Sequence, residues 1–292
     1  MSRAEASARV PVEKTYKIYI GGKFPRTESG RFFPLEDQKG AVIANICRGS
    51  RKDFRNAVVA ARKAFGGWSA ATAYLRGQIL YRIAEMLEGR HDQFVAELVL
   101  QGVSKRKAKK EVNATVDRLI YYAGWSDKYQ QIFSSLNPVN SSHFNFSVLE
   151  PTGVVSILAP DDSSLLGLIS NIAPAIVGGN TCVVLASETM PLCAISFAEA
   201  LHASDVPAGV VNILTGFREE LTGQFSSHMD VNAVVYCDGD AEVVKSMEIS
   251  AADNMKRSIA RVGREWIDGS AQSPYFIRDT QETKTTWHPI GG

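Results

Sequence analysis

From residue 151 onward the sequence alternates short apolar runs with helix-length segments, and that rhythm leaves few folds open. Val154-Val155-Ser156-Ile157-Leu158 is the first run, and a Gly/Ala/Ile-rich helix ending at Gly178-Gly179 follows it. Cys182-Val183-Val184-Leu185 comes next, and Pro191 opens the helix after it. Val210-Val211-Asn212-Ile213-Leu214 is the third run, with a helix over 219–225. Ala233-Val234-Val235-Tyr236 is the fourth, with a helix over 241–251, and 258–262 predicts a fifth strand. Runs this short, apolar at consecutive positions, belong to strands buried on both faces. Their alternation with helices over short connections calls for a parallel sheet with helices on both sides. In such a sheet a ligand sits beyond the carboxyl ends of the strands, where the strand order reverses.

The first half reads differently. Residues 16–24 (YKIYIGGKF) predict two short strands about a Gly21-Gly22 turn. Ser50 caps a helix whose Phe54, Val58, Ala61 and Phe65 recur at helical spacing. Leu75, Ile79, Leu80, Ile83, Ala84 and Leu87 stripe a second helix; Phe94, Leu98 and Val99 mark a third; a fourth spans about 105–130. Residues 144–149 predict a strand after the loop signals Asn137-Pro138 and Ser141-Ser142. Residues 280–287 (TQETKTTW) have the β-branched content of a strand but little apolar surface. They read as an edge strand that pairs with another part of the protein or with another subunit.

Composition excludes several functions. Lys plus Arg total 32 and Asp plus Glu 31, so no global field draws the chain to nucleic acid or an anionic membrane. Four cysteines in 292 residues cannot form a disulfide scaffold and suit a reducing compartment. None stands in a C-x-x-C pair, and they read as buried structural thiols. His91, His143, His202, His228 and His288 show no metal-ligand spacing. Lys105, Arg106, Lys107, Lys109 and Lys110 form the one dense charge cluster. Without interleaved aromatics it reads as a solvated helix face, with an anionic partner as the alternative. The longest apolar stretch, 165–179, is broken by Ser170, Asn171 and Pro174 and is shorter than the ~20 residues of a membrane span. Residues 1–14 lack the apolar region of a secretory signal. The expectation is a cytoplasmic protein with no metal, no membrane span and no nucleic-acid partner.

Neither turn at the expected ligand edge has the G-x-G-x-x-G pattern. After the first strand of the alternating half the turn is Ala159-Pro160-Asp161-Asp162-Ser163-Ser164, and after the fourth it is Asp238-Gly239-Asp240-Ala241. The second carries one glycine and two carboxylates. An aspartate ~4 Å from a phosphate charge costs about 4 kcal/mol at an effective dielectric of about 20.

Several phrases, taken in order, resemble the aldehyde dehydrogenase superfamily. They are Tyr19-Ile20-Gly21-Gly22, Tyr121-Tyr122-Ala123-Gly124-Trp125, Glu150-Pro151-Thr152-Gly153-Val154-Val155 and Ile172-Ala173-Pro174-Ala175. Gly179-Asn180-Thr181, Pro207-Ala208-Gly209-Val210-Val211-Asn212 and Ser227-His228-Met229-Asp230-Val231 continue the series. The resemblance implies an α/β fold: a Rossmann-like parallel sheet with an N-terminal helical layer and a C-terminal oligomerisation strand. It divides the chain into a flexible tail (1–15), a hairpin and helices packing on the sheet (16–135), an oligomerisation strand region (136–150), a degenerate dinucleotide-binding domain (151–265) and a C-terminal oligomerisation tail (266–292).

The family's chemistry uses a cysteine thiolate that attacks the aldehyde, a nicotinamide that accepts hydride and a glutamate that activates water. The resemblance puts its Pro-Trp-Asn turn, whose Asn amide helps hold the oxyanion, on Pro160-Asp161-Asp162, where a carboxylate repels the developing charge. The ribose-holding Lys falls on Leu185, a lost charged hydrogen bond worth about 1.5–3 kcal/mol, while the accompanying Glu is kept as Glu188. The G-S-T-x-x-G turn falls on Gly239-Asp240-Ala241-Glu242-Val243-Val244, without its final glycine. The general-base Glu falls on Arg261, which stays protonated. No cysteine follows Gly263. The resemblance therefore implies that the catalytic domain is deleted while two assembly segments, 144–149 and the tail, are kept. This layout is similar to the shortened, non-catalytic second unit of tandem aldehyde dehydrogenases, here as a stand-alone chain.

The expectation is a pseudoenzyme with no catalytic residue and no metal ligand. Its vestigial cofactor contacts would be Pro160, Ser187, Glu188 and Gly239, holding NAD(P) weakly or not at all. As a structural or regulatory subunit it would dimerise with itself or with a full-length aldehyde dehydrogenase. One alternative is an NAD(P)-binding oxidoreductase-family protein that contributes to aldehyde oxidation by a partner. Another is a binding module that uses the basic run at 105–110.

Overall fold

A computed structural model describes residues 13–291, so the expected tail at 1–15 lies largely outside the described residues. The N-terminal half holds β1 (Thr15–Tyr16), β2 (Phe32–Glu36), β3 (Val42–Cys47), α1 (Arg51–Ser69), α2 (Ala73–Glu88), α3 (His91–Leu100), α4 (Lys105–Trp125) and α5 (Tyr129–Phe133). Then come β4 (Ser135–Asn137), β5 (His143–Pro151), β6 (Val154–Leu158), α6 (Leu166–Val177), β7 (Thr181–Leu185), α7 (Leu192–His202) and β8 (Val211–Leu214). The chain continues with α8 (Arg218–Ser227), β9 (Ala233–Tyr236), α9 (Ala241–Ala252), β10 (Arg257–Ala260), α10 (Tyr275–Arg278) and β11 (Gln281–Pro289).

The apolar runs form one five-stranded parallel sheet in the order β10-β9-β6-β7-β8. Alternate residues feed two cores. Val155, Ile157, Cys182 and Val184 face the helices α6 and α7 and, beyond them, α2, α3 and α4. Val154, Leu158, Val183 and Leu185 face α1 and α8, where Phe54 and Phe225 stack with centroids 4.3 Å apart. Each fully buried Val, Leu, Ile or Phe contributes about 1.5–3 kcal/mol, so a strand apolar on both faces has one stable place, the middle of such a sandwich. The strand order reverses between β6 and β9, which puts the crevice of this α/β fold beyond their carboxyl ends.

Helix starts follow the sequence closely. Ser50 and Asp53 form a reciprocal capping box at α1, and Thr72 and Ser104 cap α2 and α4. The expected helix over 105–130 is two helices. It stops at Trp125, where the Ser126 N–H turns back to the Ala123 carbonyl. The break lets Gln130 bond both backbone groups of Leu149 on β5 (2.6 and 3.2 Å). Tertiary bonding overrides helix propensity here.

The hairpin β2–β3 is absent from the sequence expectation because Pro34 demotes its first strand. The structure puts β2 at the edge of the β1-β3-β2 sheet, where a missing N–H is tolerated. Around Gly21-Gly22, one bridge between Ile20 and Lys23 closes the turn, and Tyr19 bonds across to Ile213 of β8 rather than to a partner strand after the turn. Both glycines have positive φ (58° and 75°), which only glycine adopts at little cost. Asn137, expected in a loop, ends β4 and pairs with Asn145. The partner of the C-terminal strand is this same chain. β11 runs antiparallel to β5 over nine residues, from Gln281 opposite Pro151 to Pro289 opposite His143.

Candidate functional site at the strand ends

The crevice at the strand reversal is filled by side chains of this chain. Asp161 follows β6, Asp238 follows β9, and Arg218, the first residue of α8, reaches between them. Its Nε donates to Asp161 Oδ2 at 2.9 Å, and its Nη2 donates to the Ala159 carbonyl. Its Nη1 lies 2.6 Å from Asp238 Oδ2, an ion pair too misaligned to count as a hydrogen bond. Burial raises the Asp161 carboxyl, but Arg218, the Ser187 hydroxyl and the Glu188 amide outweigh it and hold the group below its ordinary value. Burial dominates at Asp238 and raises it, Arg218 opposing and Asp161 adding. One guanidinium thus serves two carboxylates unequally.

The structure brings three of the four sequence-predicted residues together here. Pro160 is buried beside Asp161. Ser187 donates to Asp161 Oδ1 at 2.8 Å, and the Glu188 amide donates to the same oxygen at 2.7 Å. The Glu188 carboxylate accepts from the Arg218 amide at 2.8 Å and so caps α8, which has no cap of its own. Gly239 is not drawn in; it lies exposed at the start of α9. The first amides of that helix are already taken by Asp240, which accepts from Glu242 and Val243 at 3.0 and 3.2 Å.

A dinucleotide in this crevice needs free amides at a helix start and a carboxylate open to a ribose. The residues present do not fit that need. One oxygen of the half-exposed Glu188 is taken by α8, the first amides of α9 are held by Asp240, and the remaining charge is carboxylate. Arg218 was missed from sequence. Its signal was a cation in the first turn of a helix, where the dipole disfavours it unless acidic groups stand nearby.

Two buried arginines tie the chain beyond β10 to α6. Arg261, 2% exposed, donates to Asn171 Oδ1 at 2.7 Å, to Asp279 Oδ2 at 3.0 Å and to the Phe276 carbonyl at 3.4 Å. Its guanidinium carbon lies 3.9 Å from the Phe276 ring centroid. Arg118 donates to the Ser170 hydroxyl and to the carbonyls of Ala271 and Trp266 at 2.7 and 3.0 Å. All four cysteines are reduced and buried, and burial raises the thiols of Cys182, Cys193 and Cys237, the last to about 12. No thiol is poised as a nucleophile at the crevice. Among the described residues no group of three or more His, Cys, Asp or Glu could hold a metal, and no helix is long and apolar enough to cross a membrane. A depression of about 860 Å³ lies away from the strand ends, between α2 and the end of α4.

Known proteins place this geometry. Residues 26–265 match the aldehyde dehydrogenase family. The chain is 34% identical over 281 residues to a mitochondrial benzaldehyde dehydrogenase of Antirrhinum majus, covering 94% of this chain and 50% of that protein. It is 32% identical over 252 residues to a hydroxyisobutyraldehyde dehydrogenase of Mycolicibacterium austroafricanum, covering 86% of this chain and 47% of that one. Its fold is similar to an aldehyde dehydrogenase of Bacillus cereus solved as an NAD+ complex, with TM-score 0.81, 28% identity, 85% of this chain and 51% of the other covered. The chain spans about half the length of the curated relatives it matches. With the parallel sheet, its strand order and the matching of most of its length, the chain belongs to the aldehyde dehydrogenase family.

Proposed function

We propose that this chain is a non-catalytic assembly subunit that dimerises with itself or with a full-length aldehyde dehydrogenase. The observation that carries this reading is Arg261. At the position where the resemblance implies a general-base glutamate, an always-charged guanidinium is buried and spent on Asn171, Asp279 and Phe276. Residues 261–280 alone connect β10 to β11, so the sheet is followed directly by the strand that pairs with β5. On this reading 151–265 is a scaffold, 16–135 packs on it, and 136–150 with 266–292 forms the assembly surface. That surface is the β11-β5-β4 sheet, where Leu136 and Phe144 are exposed large apolar groups on one face. The reduced, buried thiols suit work in the cytoplasm.

Native mass measurement of the purified full chain, with capture of a full-length aldehyde dehydrogenase as bait, tests the proposal. A dimer or a captured partner, with no aldehyde oxidation by the chain alone, is the expected result. A strict monomer that captures no such enzyme overturns it. NADH fluorescence titration separates the cofactor-binding alternative: saturation at micromolar NADH would favour it over the closed crevice described above.

A further inference from the structure

The basic run of α4 is divided by the fold. Lys107 and Lys110 stand one helical turn apart and share a face, and that face walls a cavity of about 650 Å³. Lys105, Arg106 and Lys109 do not line it. Arg264, on the loop after β10, lines it too. Among the described residues none of these three cations forms an ion pair. Arg264 Nε is buried and has no hydrogen-bond partner, while its guanidinium lies 5.0 Å from the Phe276 ring centroid.

Three carboxylates share the walls, and they differ. Glu111 is spent, because its Oε1 accepts from the amides of Leu165 and Leu166, both at 3.1 Å, and from the Ser163 hydroxyl at 3.3 Å. Asp162 and Glu265 remain as acceptors. Burial, then Glu265 and Asp161, raise the Asp162 carboxyl; no cation figures among the groups acting on it. The cavity therefore carries on its wall three cations without an ion-pair partner among the described residues and two carboxylates that remain as acceptors. Its volume lies in the range of about 300–1,000 Å³ typical of small-molecule sites.

We propose that this cavity binds a small hydroxylated anion, whose phosphate or carboxylate meets Lys107, Lys110 and Arg264 and whose hydroxyls donate to Asp162 and Glu265. A compact ligand of this kind meets the cations and the acceptors at once, whereas a bare anion meets the cations alone. The site stands independently of the assembly role.

Calorimetric titration of the full chain with glycerol 3-phosphate, glycerate and inorganic phosphate tests it, each variant first checked for native circular dichroism. Saturable one-to-one binding of glycerol 3-phosphate or glycerate, tighter than inorganic phosphate, is expected, and the better of the two identifies the anionic group. The double variant K107Q/K110Q, and R264Q alone, should each weaken it roughly tenfold or more. K105Q/K109Q, on the same helix but off the cavity, should stay within about twofold. D162N should reduce the preference for the hydroxylated ligand over inorganic phosphate. Absence of saturation at millimolar ligand overturns the proposal, and so does equal loss in the two lysine pairs, which would mean a general basic surface.

Discussion

Replacing Arg218 by alanine should destabilise the protein in a pH-dependent way. The side chain is 16% exposed and serves Asp161 and Asp238, themselves 34% and 24% exposed. Removing one partner of a fully buried pair costs about 3–5 kcal/mol, and an exposed pair contributes about 0–1 kcal/mol. Screening at the half-open Asp161 places this cluster between those limits, at about 2–3 kcal/mol. For a chain of this size, at about 2.1 cal/mol/K of unfolding entropy per residue, that corresponds to a fall of roughly 3–5 °C in Tm.

The sign with pH follows from the carboxyls. Asp161 is held below its ordinary value, so its contribution is present above the unfolded value of about 3.9 and is lost as pH falls through the folded one. Asp238 is raised, so its ionisation costs stability as pH rises through its folded value, and loss of Arg218 raises that cost. The deficit of R218A is therefore largest near neutrality; toward about pH 4 the Asp238 part shrinks as that carboxylate takes up a proton, while the Asp161 part is lost only below about pH 3.9. Thermal unfolding by circular dichroism at both pH values measures it. R218A/D161N should be less damaged than the sum of its single variants, since the two residues share one interaction. A deficit under about 1 kcal/mol, or one that grows on acidification, would refute the reasoning.

Three further outcomes follow from the same geometry. R261E, which restores the residue type the family resemblance implies, should confer no aldehyde oxidation and should cost about 3–5 kcal/mol in denaturant unfolding, because it buries a carboxylate beside Asp279; measurable turnover would contradict this. N180A should cost about 2–4 kcal/mol by the same assay, because the Asn180 amide joins Thr152, Gly153, Ala175 and Thr280 in one buried cluster, and a change under about 1 kcal/mol would count against it. The native thiols should resist an aromatic disulfide reagent at neutral pH and react only on unfolding, since burial raises Cys182, Cys193 and Cys237; fast stoichiometric labelling of the folded chain would show otherwise.

The five parallel strands and the helices between them were legible because each is specified locally. A strand such as Cys182–Leu185 carries its burial on both faces in consecutive residues, and α1 carries its cap in Ser50 and Asp53. The family phrases had local readings too, and the structure supplies their reasons. Asn180 in Gly179-Asn180-Thr181 ties Gly153, the residue before β6, to Thr280, the residue before β11. The hairpin β2–β3 was hidden because Pro34 is a strand breaker everywhere except at an edge, and only the assembled sheet says where the edge is. The residues of the crevice were partly legible: Pro160, Ser187 and Glu188 meet, but their use for one another was not readable.

The sequence by itself determined the alternation of elements, the two-sided burial of the sheet, the family and the residue types at each position the family uses for chemistry. Only the tertiary structure decided what those residues do. Arg218 reaches an aspartate 57 positions away, Arg261 an asparagine 90 positions away, and β11 closes on β5 over a longer span still, from Gln281 to Pro151 and from Pro289 to His143. Hydrogen bonds and ion pairs are made between neighbours in space, and a charge carries no mark of its partner along the chain. Periodicity and capping act within a few residues and can be read from order alone; the closing of the crevice and the sorting of the basic run required the fold.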